Sequence, residues 1–334
     1  MSNVELRPEE HVCAGAEAGA PPAGQVQLLS ARDVPLGGPR AMTVRRTLPQ
    51  RALSLIGAWC FVDHYGPDDV ARTGGMNVPP HPHTGLATVS WLFSGQITHA
   101  DSAGHRAEVG PGELSLMTAG SGISHSERSS GAQPVLHGVQ MWVALPEADR
   151  FGPQRFDHYV PPVVRGPGWR AQVFLGSALG HASPVVTATG LLAAEISLDP
   201  GSSVQVQVGD FESGLLVDAG QVRMDGVEVA PHWLGYRPAG QPSVTLRAGE
   251  EPARMILFGG TPLEEEIVMW WNFVGRSHEE IVAYRQAWQE EISTADEGRT
   301  ELPQFGLPDA DPDPPLPAPE LPNARIRPRR RPGS

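Results

Sequence analysis

Between Val26 and Gly260 the chain is a succession of short apolar runs, each closed by glycine or proline. The segments TVSWLFSGQITHAD (88–101), GELSLMTAG (112–120) and HGVQMWVALP (137–146) carry β-branched and aromatic residues, which fit a pleated, half-buried surface. DSAG (101–104) and GPGE (110–113) supply the turn residues between them. The rhythm returns in LLAAEISLDPGSSVQVQV (191–208), ESGLLVDAGQVRMDGVEV (212–229) and SVTLRAGEEPARMILFGG (243–260). Two halves with one strand–turn rhythm predict two β-barrel or β-sandwich units, with the boundary near LPEADRFGPQ (145–154).

One stretch has a different period. Ser277 followed by Glu280 forms a capping box, and Ile281, Tyr284, Trp288 and Ile292 then recur on one helical face. This predicts a helix packed on the β body, with MWWNF (269–273) as its docking segment. From Leu302 onward, proline at every few positions excludes helix and central strand. The expected organisation is a flexible lead-in (1–25), a first β domain (26–150), a second with the helix (151–300), and an extended, disordered tail (301–334). The tail's basic cluster, Arg325 to Arg331, is expected to be solvated or to lie on the acidic body.

Composition narrows the function classes. With 334 residues the chain has room for two domains, and 38 glycines and 34 prolines favour turn-rich β architecture. A net charge of −13 argues against direct binding of nucleic acid or anionic lipid. Only Cys13 and Cys60 are present, so a structural disulfide is not expected. Residues 1–20 lack the basic start and apolar core of a signal peptide, and no apolar run nears the roughly 20 residues of a membrane span. The expected location is cytoplasmic.

The candidate chemistry is concentrated in two short segments. In NVPPHPHTGLATVSW (77–91), His81 and His83 are two residues apart, so in a strand both side chains share a face, and Pro82 points to a sheet edge or strand start. Some forty residues later His125 and Glu127 repeat that spacing. If their strands lie side by side, they supply three imidazoles and one carboxylate, suited to a single divalent ion such as iron, manganese, nickel, copper or zinc, with positions left open. Neutral imidazoles hold such a metal without over-neutralising it, and the carboxylate can also accept a proton.

The pattern HxH, then Gly112, five residues, Thr118-Ala119-Gly120 and His125, resembles the two metal motifs of the cupin superfamily. Thr118 stands where the usual motif has proline, and the gap from Gly120 to His125 is two residues longer. Within cupins, PHPHTGLATVSWLFSGQITHADSAG, PGELSLMTAGSGISHSE, RRTLPQ, VDHYGP, GVQMWVALP and GGTPLEEEIVMWWNF resemble bacterial pirins over roughly residues 26–300. The resemblance implies an all-β bicupin of two jelly-roll-like barrels with a C-terminal helix. It also implies one metal, usually Fe(II), held in the first barrel by His81, His83, His125 and Glu127.

The implied activity is that of a quercetin 2,3-dioxygenase acting on flavonols or similar hydroxylated aromatics with dioxygen, and Glu127 would take the substrate's hydroxyl proton. The alternative carried by the same family is a metal- or redox-sensing protein that binds a transcription factor or metabolic enzyme without turnover. One departure stands inside the first motif: Ala87 occupies the place of the usual cupin glutamate, so the carboxylate has to come from Glu127. His181 and His232 look isolated, so the second barrel is read as structural. His64, His99 and His137 are read as structural or surface residues, and Trp91, Phe93 and Met117 as core packing.

Overall fold

A computed structural model describes residues 25–36, 42–130, 133–294 and 304–329. Each half is built from a seven-stranded and a four-stranded antiparallel sheet facing one another, as the strand rhythm predicts. In the first half the large sheet runs, in spatial order, through Arg155–Tyr159, Leu114–Thr118, Leu86–Ser94, Val135–Ala144, Trp59–Asp69, Met42–Leu48 and Arg32–Leu36. Its small sheet is ordered Asn77–His83, Ile123–Ser129, Ile97–Asp101, Arg106–Val109. The second half repeats this with Leu191–Leu198, Glu212–Ala219 and Ala253–Gly260 at the centre of its large sheet.

The halves exchange edges, which the linear boundary near residue 150 did not anticipate. Gln27–Leu29, at the chain's start, pairs with Leu234–Arg237 on the edge of the second large sheet. Arg155–Tyr159, beyond the boundary, pairs with Leu114–Thr118 on the edge of the first. Each domain therefore closes an edge with the other's flanking segment, which protects strands that would otherwise present free backbone groups.

The two large sheets pack face to face, and the largest core lies between them, with Trp59, Trp91 and Leu116 from one side and Phe174, Ile256 and Phe258 from the other. Trp91 stacks on Phe174 at 4.3 Å, and its indole N–H donates to Glu195 across the interface at 2.7 Å. The two barrel interiors differ sharply. The second is filled by Val, Leu, Ile, Ala and Met, including Val173, Ile196, Val206, Leu215, Val217, Leu246 and Met255. The apolar cluster of the first is smaller and leaves room beside it for buried histidines.

The helix spans His278–Ser293 with Ser277 as its N-cap, whose hydroxyl accepts from the Glu280 N–H. Ile281, Tyr284 and Trp288 are buried, as the stripe predicts. MWWNF forms the tip of a hairpin, Val268–Trp270 with Phe273–Gly275, in which Trp271 is left-handed (φ 51°). The Val274 N–H donates to the Thr84 carbonyl, docking the hairpin beside the HxH segment.

The tail departs from its expectation. Residues 304–329 are extended but docked. Phe305 is buried against Trp288 and Phe273. Arg128 pairs with Asp311 and Asp313 (2.6–2.9 Å). The Leu316 N–H donates to the Pro80 carbonyl, and the Arg329 N–H to the Ile267 carbonyl. Proline removes backbone donors and stiffens the chain, which excludes helix, but a stiff extended segment still loses little entropy on lying against a partner. Residues 1–24, with Cys13, and 330–334, with Arg330 and Arg331, lie outside the described residues. Cys60 is a free thiol, and burial pushes it up to about 12.

Candidate metal centre

Asn77–His83 is an edge strand, the one place in a sheet where Pro79, Pro80 and Pro82 cost no ladder bond on the open side. It pairs directly with Ile123–Ser129, and His125 lies opposite His81. A register shift between His125 and Glu127 leaves Glu127 opposite Val78. The turn before this strand needs Gly120 of the Thr-Ala-Gly motif. Its φ is 55°, and a Cβ there would lie 2.1 Å from the Gly152 carbonyl oxygen.

The structure brings His81, His83 and His125 together, with one ring nitrogen of each within 4.8 Å of the others. His83 Nε2 lies 3.1 Å from His125 Nε2. Glu127 does not close a single four-membered group. Its carboxylate falls with His125 and His99 in a second group sharing the His125 end. All four predicted residues are 0–2% exposed.

The far side of each ring settles which nitrogen faces inward. His81 Nδ1–H donates to the Pro79 carbonyl (2.9 Å) and His83 Nδ1–H to the Asn272 carbonyl (3.1 Å). A carbonyl can only accept, so Nδ1 carries the proton and Nε2 presents its lone pair. His125 Nδ1 faces His99 Nδ1 at 3.4 Å, and His99 Nε2–H donates to Asp101 (3.1 Å). Burial raises the Asp101 carboxyl, but hydrogen bonds from His99 and the His105 N–H outweigh it and hold it below its usual range. This chain of bonds makes His125 Nδ1 a donor too, the arrangement that supports ligating imidazoles.

Burial pushes His81 down to about 3 and also lowers His83 and His125, so the three rings are neutral at physiological pH. Two buried atoms point into the cluster without a partner, His81 Nε2 and Glu127 Oε2. Leaving such atoms unpaired costs about 1–3 kcal/mol each, which a bound cation would offset. Ser90 Oγ lies 3.1 Å from Glu127 Oε1 and 2.6 Å from Gln140 Oε1, and its single hydroxyl hydrogen is shared between the two acceptors. Burial first, and the charge of Glu127 second, raise the Tyr65 phenol well above its usual value.

Ala87 turns out not to face this cluster. Ser90 points to Glu127, and with no register shift against Leu114–Thr118 the alternate positions 87, 89 and 91 face the other way, where Trp91 meets Phe174. Ala87 lines an interdomain cavity of about 310 Å³ with Thr118, Val143 and Val186. A carboxylate at 87 would not have reached the histidines, so its absence removes nothing from them. The sequence reading also missed His99, Asp101, Ser90 and Asn272. The parity of His99 and Asp101 in Ile97–Asp101 was a usable signal for the first two, whereas the Asn272 contact had no local one. His64 and His137, read as structural or surface residues, and His232, read as isolated, converge between the two large sheets.

His99 yields a direct expectation. Its ring stacks on Phe156 at 4.5 Å, so His99→Phe keeps the packing while removing the acceptor behind His125. Metal affinity should fall about 10–100-fold, measured by competition with a chromophoric chelator.

A pair of jelly-roll-like sandwiches, one with an aliphatic interior and one enclosing buried imidazoles whose lone pairs converge, defines a bicupin with a single candidate metal centre inside its first barrel. The chain belongs to the pirin family. The pirin model matches residues 41–143, and the model for the pirin C-terminal cupin domain matches 193–292. A Pseudomonas aeruginosa protein provisionally named quercetin 2,3-dioxygenase is 37% identical over 303 residues, covering 89% of this chain and 91% of that protein. A pirin-like protein of Caulobacter vibrioides is 35% identical, covering 78% and 91%. The crystal structure of quercetin 2,3-dioxygenase from Acinetobacter baumannii superposes with a TM-score of 0.82 at 32% identity, covering 91% of this chain and 97% of that one.

Proposed function

We propose that this chain is a mononuclear metal-dependent dioxygenase acting on flavonols or similar hydroxylated aromatics. The observation that carries this reading is the set of three neutral imidazoles with inward lone pairs beside an unpartnered carboxylate oxygen. His81, His83, His125 and Glu127 would hold one divalent ion, Fe(II) before Mn, Ni, Cu or Zn. Likeness to proteins named quercetin 2,3-dioxygenase supports the substrate class. When bound, the metal supplies Lewis acidity that favours the anionic form of a substrate hydroxyl and a place where dioxygen can meet it. The chain's own contribution is to hold and protect. The backbone carbonyls of Pro79 and Asn272 and the His99–Asp101 pair orient the three rings. Ser90 holds Glu127 Oε1, positioning the carboxylate that would both face the ion and take the hydroxyl proton.

Iron-loaded protein incubated with quercetin under air should consume oxygen above free-iron controls. Glu127→Gln should lower kcat by about 100-fold or more, the range for losing a positioned base. Metal-loaded protein with no uptake beyond the control overturns the catalytic reading.

One observation favours a second reading, a metal-dependent regulatory protein without turnover. The donors are buried to 2% exposure or less, so a substrate must wait for an opening, whereas a metal that tunes a surface need not be reached. A protein partner captured only by the metal-loaded form, in protein inert toward quercetin, would support it.

A further inference from the structure

The second cluster of histidines lies outside both barrels. His64 comes from Trp59–Asp69 and His137 from the neighbouring Val135–Ala144, both in the first large sheet. Asp218 comes from Glu212–Ala219, in the second. His64 Nε2 lies 3.1 Å from His137 Nε2, and both face one oxygen, Asp218 Oδ1, at 2.8 and 2.7 Å. Donors held by a tetrahedral ion at ~2.0–2.1 Å stand about 3.3 Å apart, so the triangle needs only slight widening to accept one. Asp218 Oδ1 can accept from both Nε2–H groups, but the two like-polarised donors then stand only 3.1 Å apart, a contact that a shared cation removes.

The surroundings fit a cation between the domains. His232 presents Nδ1 3.3 Å from His64 Nδ1, so His64 can donate there while Nε2 faces inward. His232 holds this position in a left-handed backbone (φ 67°), which costs a non-glycine residue energy and is kept where a site requires it. Arg254 donates to Asp218 Oδ2 at 2.7 Å, orienting the carboxylate so that Oδ1 points at the imidazoles. Its guanidinium also donates to His137 Nδ1 at 3.5 Å, so without an ion His137 Nε2 carries the hydrogen that faces Asp218 Oδ1, and it lies over the Phe93 ring with a charge that opposes a metal. An ion here needs Arg254, 31% exposed, to release His137 Nδ1 while keeping Asp218 Oδ2, and the His137 side chain, 11% exposed, marks the way in.

We propose a second metal site, His64 Nε2, His137 Nε2 and Asp218 Oδ1, that takes Zn(II) or a similar borderline divalent ion and clasps the two cupin domains together. Two imidazoles and one carboxylate suit such an ion, with water completing the shell. The site is independent of the centre in the first barrel, from which it shares no residue.

The test uses full-length protein stripped with chelator and dialysed against Zn(II), with bound metal counted by mass spectrometry. Wild type should hold two equivalents. Asp218→Asn and His137→Gln should each hold one, and His83→Ala/His125→Ala should also hold one, with its thermal unfolding still raised by Zn(II). The His137 substitution, at a partly exposed side chain, guards against a buried-site variant that fails to fold. A single equivalent in wild type that is lost in His83→Ala/His125→Ala overturns the proposal. So does a second equivalent that persists in both Asp218→Asn and His137→Gln.

Discussion

Replacing His125 with alanine should abolish metal binding at the candidate centre of the first barrel. His125 stands between the others, 3.1 Å from His83 Nε2, and is shared by the two groups, with His81 and His83 in one and His99 and Glu127 in the other. It is also the ring through which His99 and Asp101 act. Losing a supporting hydrogen bond costs such sites about 10–100-fold in affinity, and losing a ligand should cost more than about 100-fold. Metal content after dialysis should fall to the level of a stripped control, and any dioxygenase activity should fall with it. Unchanged metal in folded His125→Ala protein would refute the ligand assignment. The alanine leaves a pocket at a fully buried strand position, so His125→Gln, closer in volume, separates metal loss from misfolding.

Phe305→Ala should destabilise the protein by about 3–5 kcal/mol, the cost of emptying a buried aromatic position. Phe305 is 1% exposed and meets Phe273 at 5.9 Å and Trp288 at 5.6 Å. Its carbonyl accepts from the Ser124 N–H, one residue before His125. Ending the chain at residue 303 should cost more. It also removes the Leu316 carbonyl that accepts from the Trp288 indole N–H (2.8 Å), and both partners of Arg128. Because the tail lies behind the strands of His81 and His125, the truncated protein should release metal faster. Urea unfolding and timed chelator extraction measure the two effects. A truncated chain as stable as the whole would show that the docked tail contributes nothing.

The two effects reach the same strands from opposite sides. Along Ile123–Ser129, His125 and Glu127 face the barrel interior, while Ser124 and Arg128 meet the tail. The period of two that put the ligand pair on one face also put the tail contacts on the other. Only the first half of that statement was legible beforehand, because no local pattern in a proline-rich segment says what it will lie against. The same limit explains Ala87. Its place in a familiar motif suggested a missing carboxylate, but its parity relative to Ser90 turns it toward the second domain.

By itself, the sequence determined what depends on short-range periodicity and local chemistry. The strand rhythm, the Ser277 cap with its buried stripe, the edge placement of Pro82 and the shared face of His81 with His83 and of His125 with Glu127 all follow from neighbours a few residues apart. The tertiary structure alone decided what depends on chain closure over long distances. His64 and Asp218 are 154 residues apart, Arg128 and Asp311 are 183 apart, and His83 and the Asn272 carbonyl that orients it are 189 apart. Each such contact forms because distant segments bury apolar faces against one another, two large sheets in the first case and the tail and hairpin packed around Phe273, Trp288 and Phe305 in the others. That burial is non-directional and sums over many residues, so it brings polar partners together without leaving a mark beside any one of them in the chain.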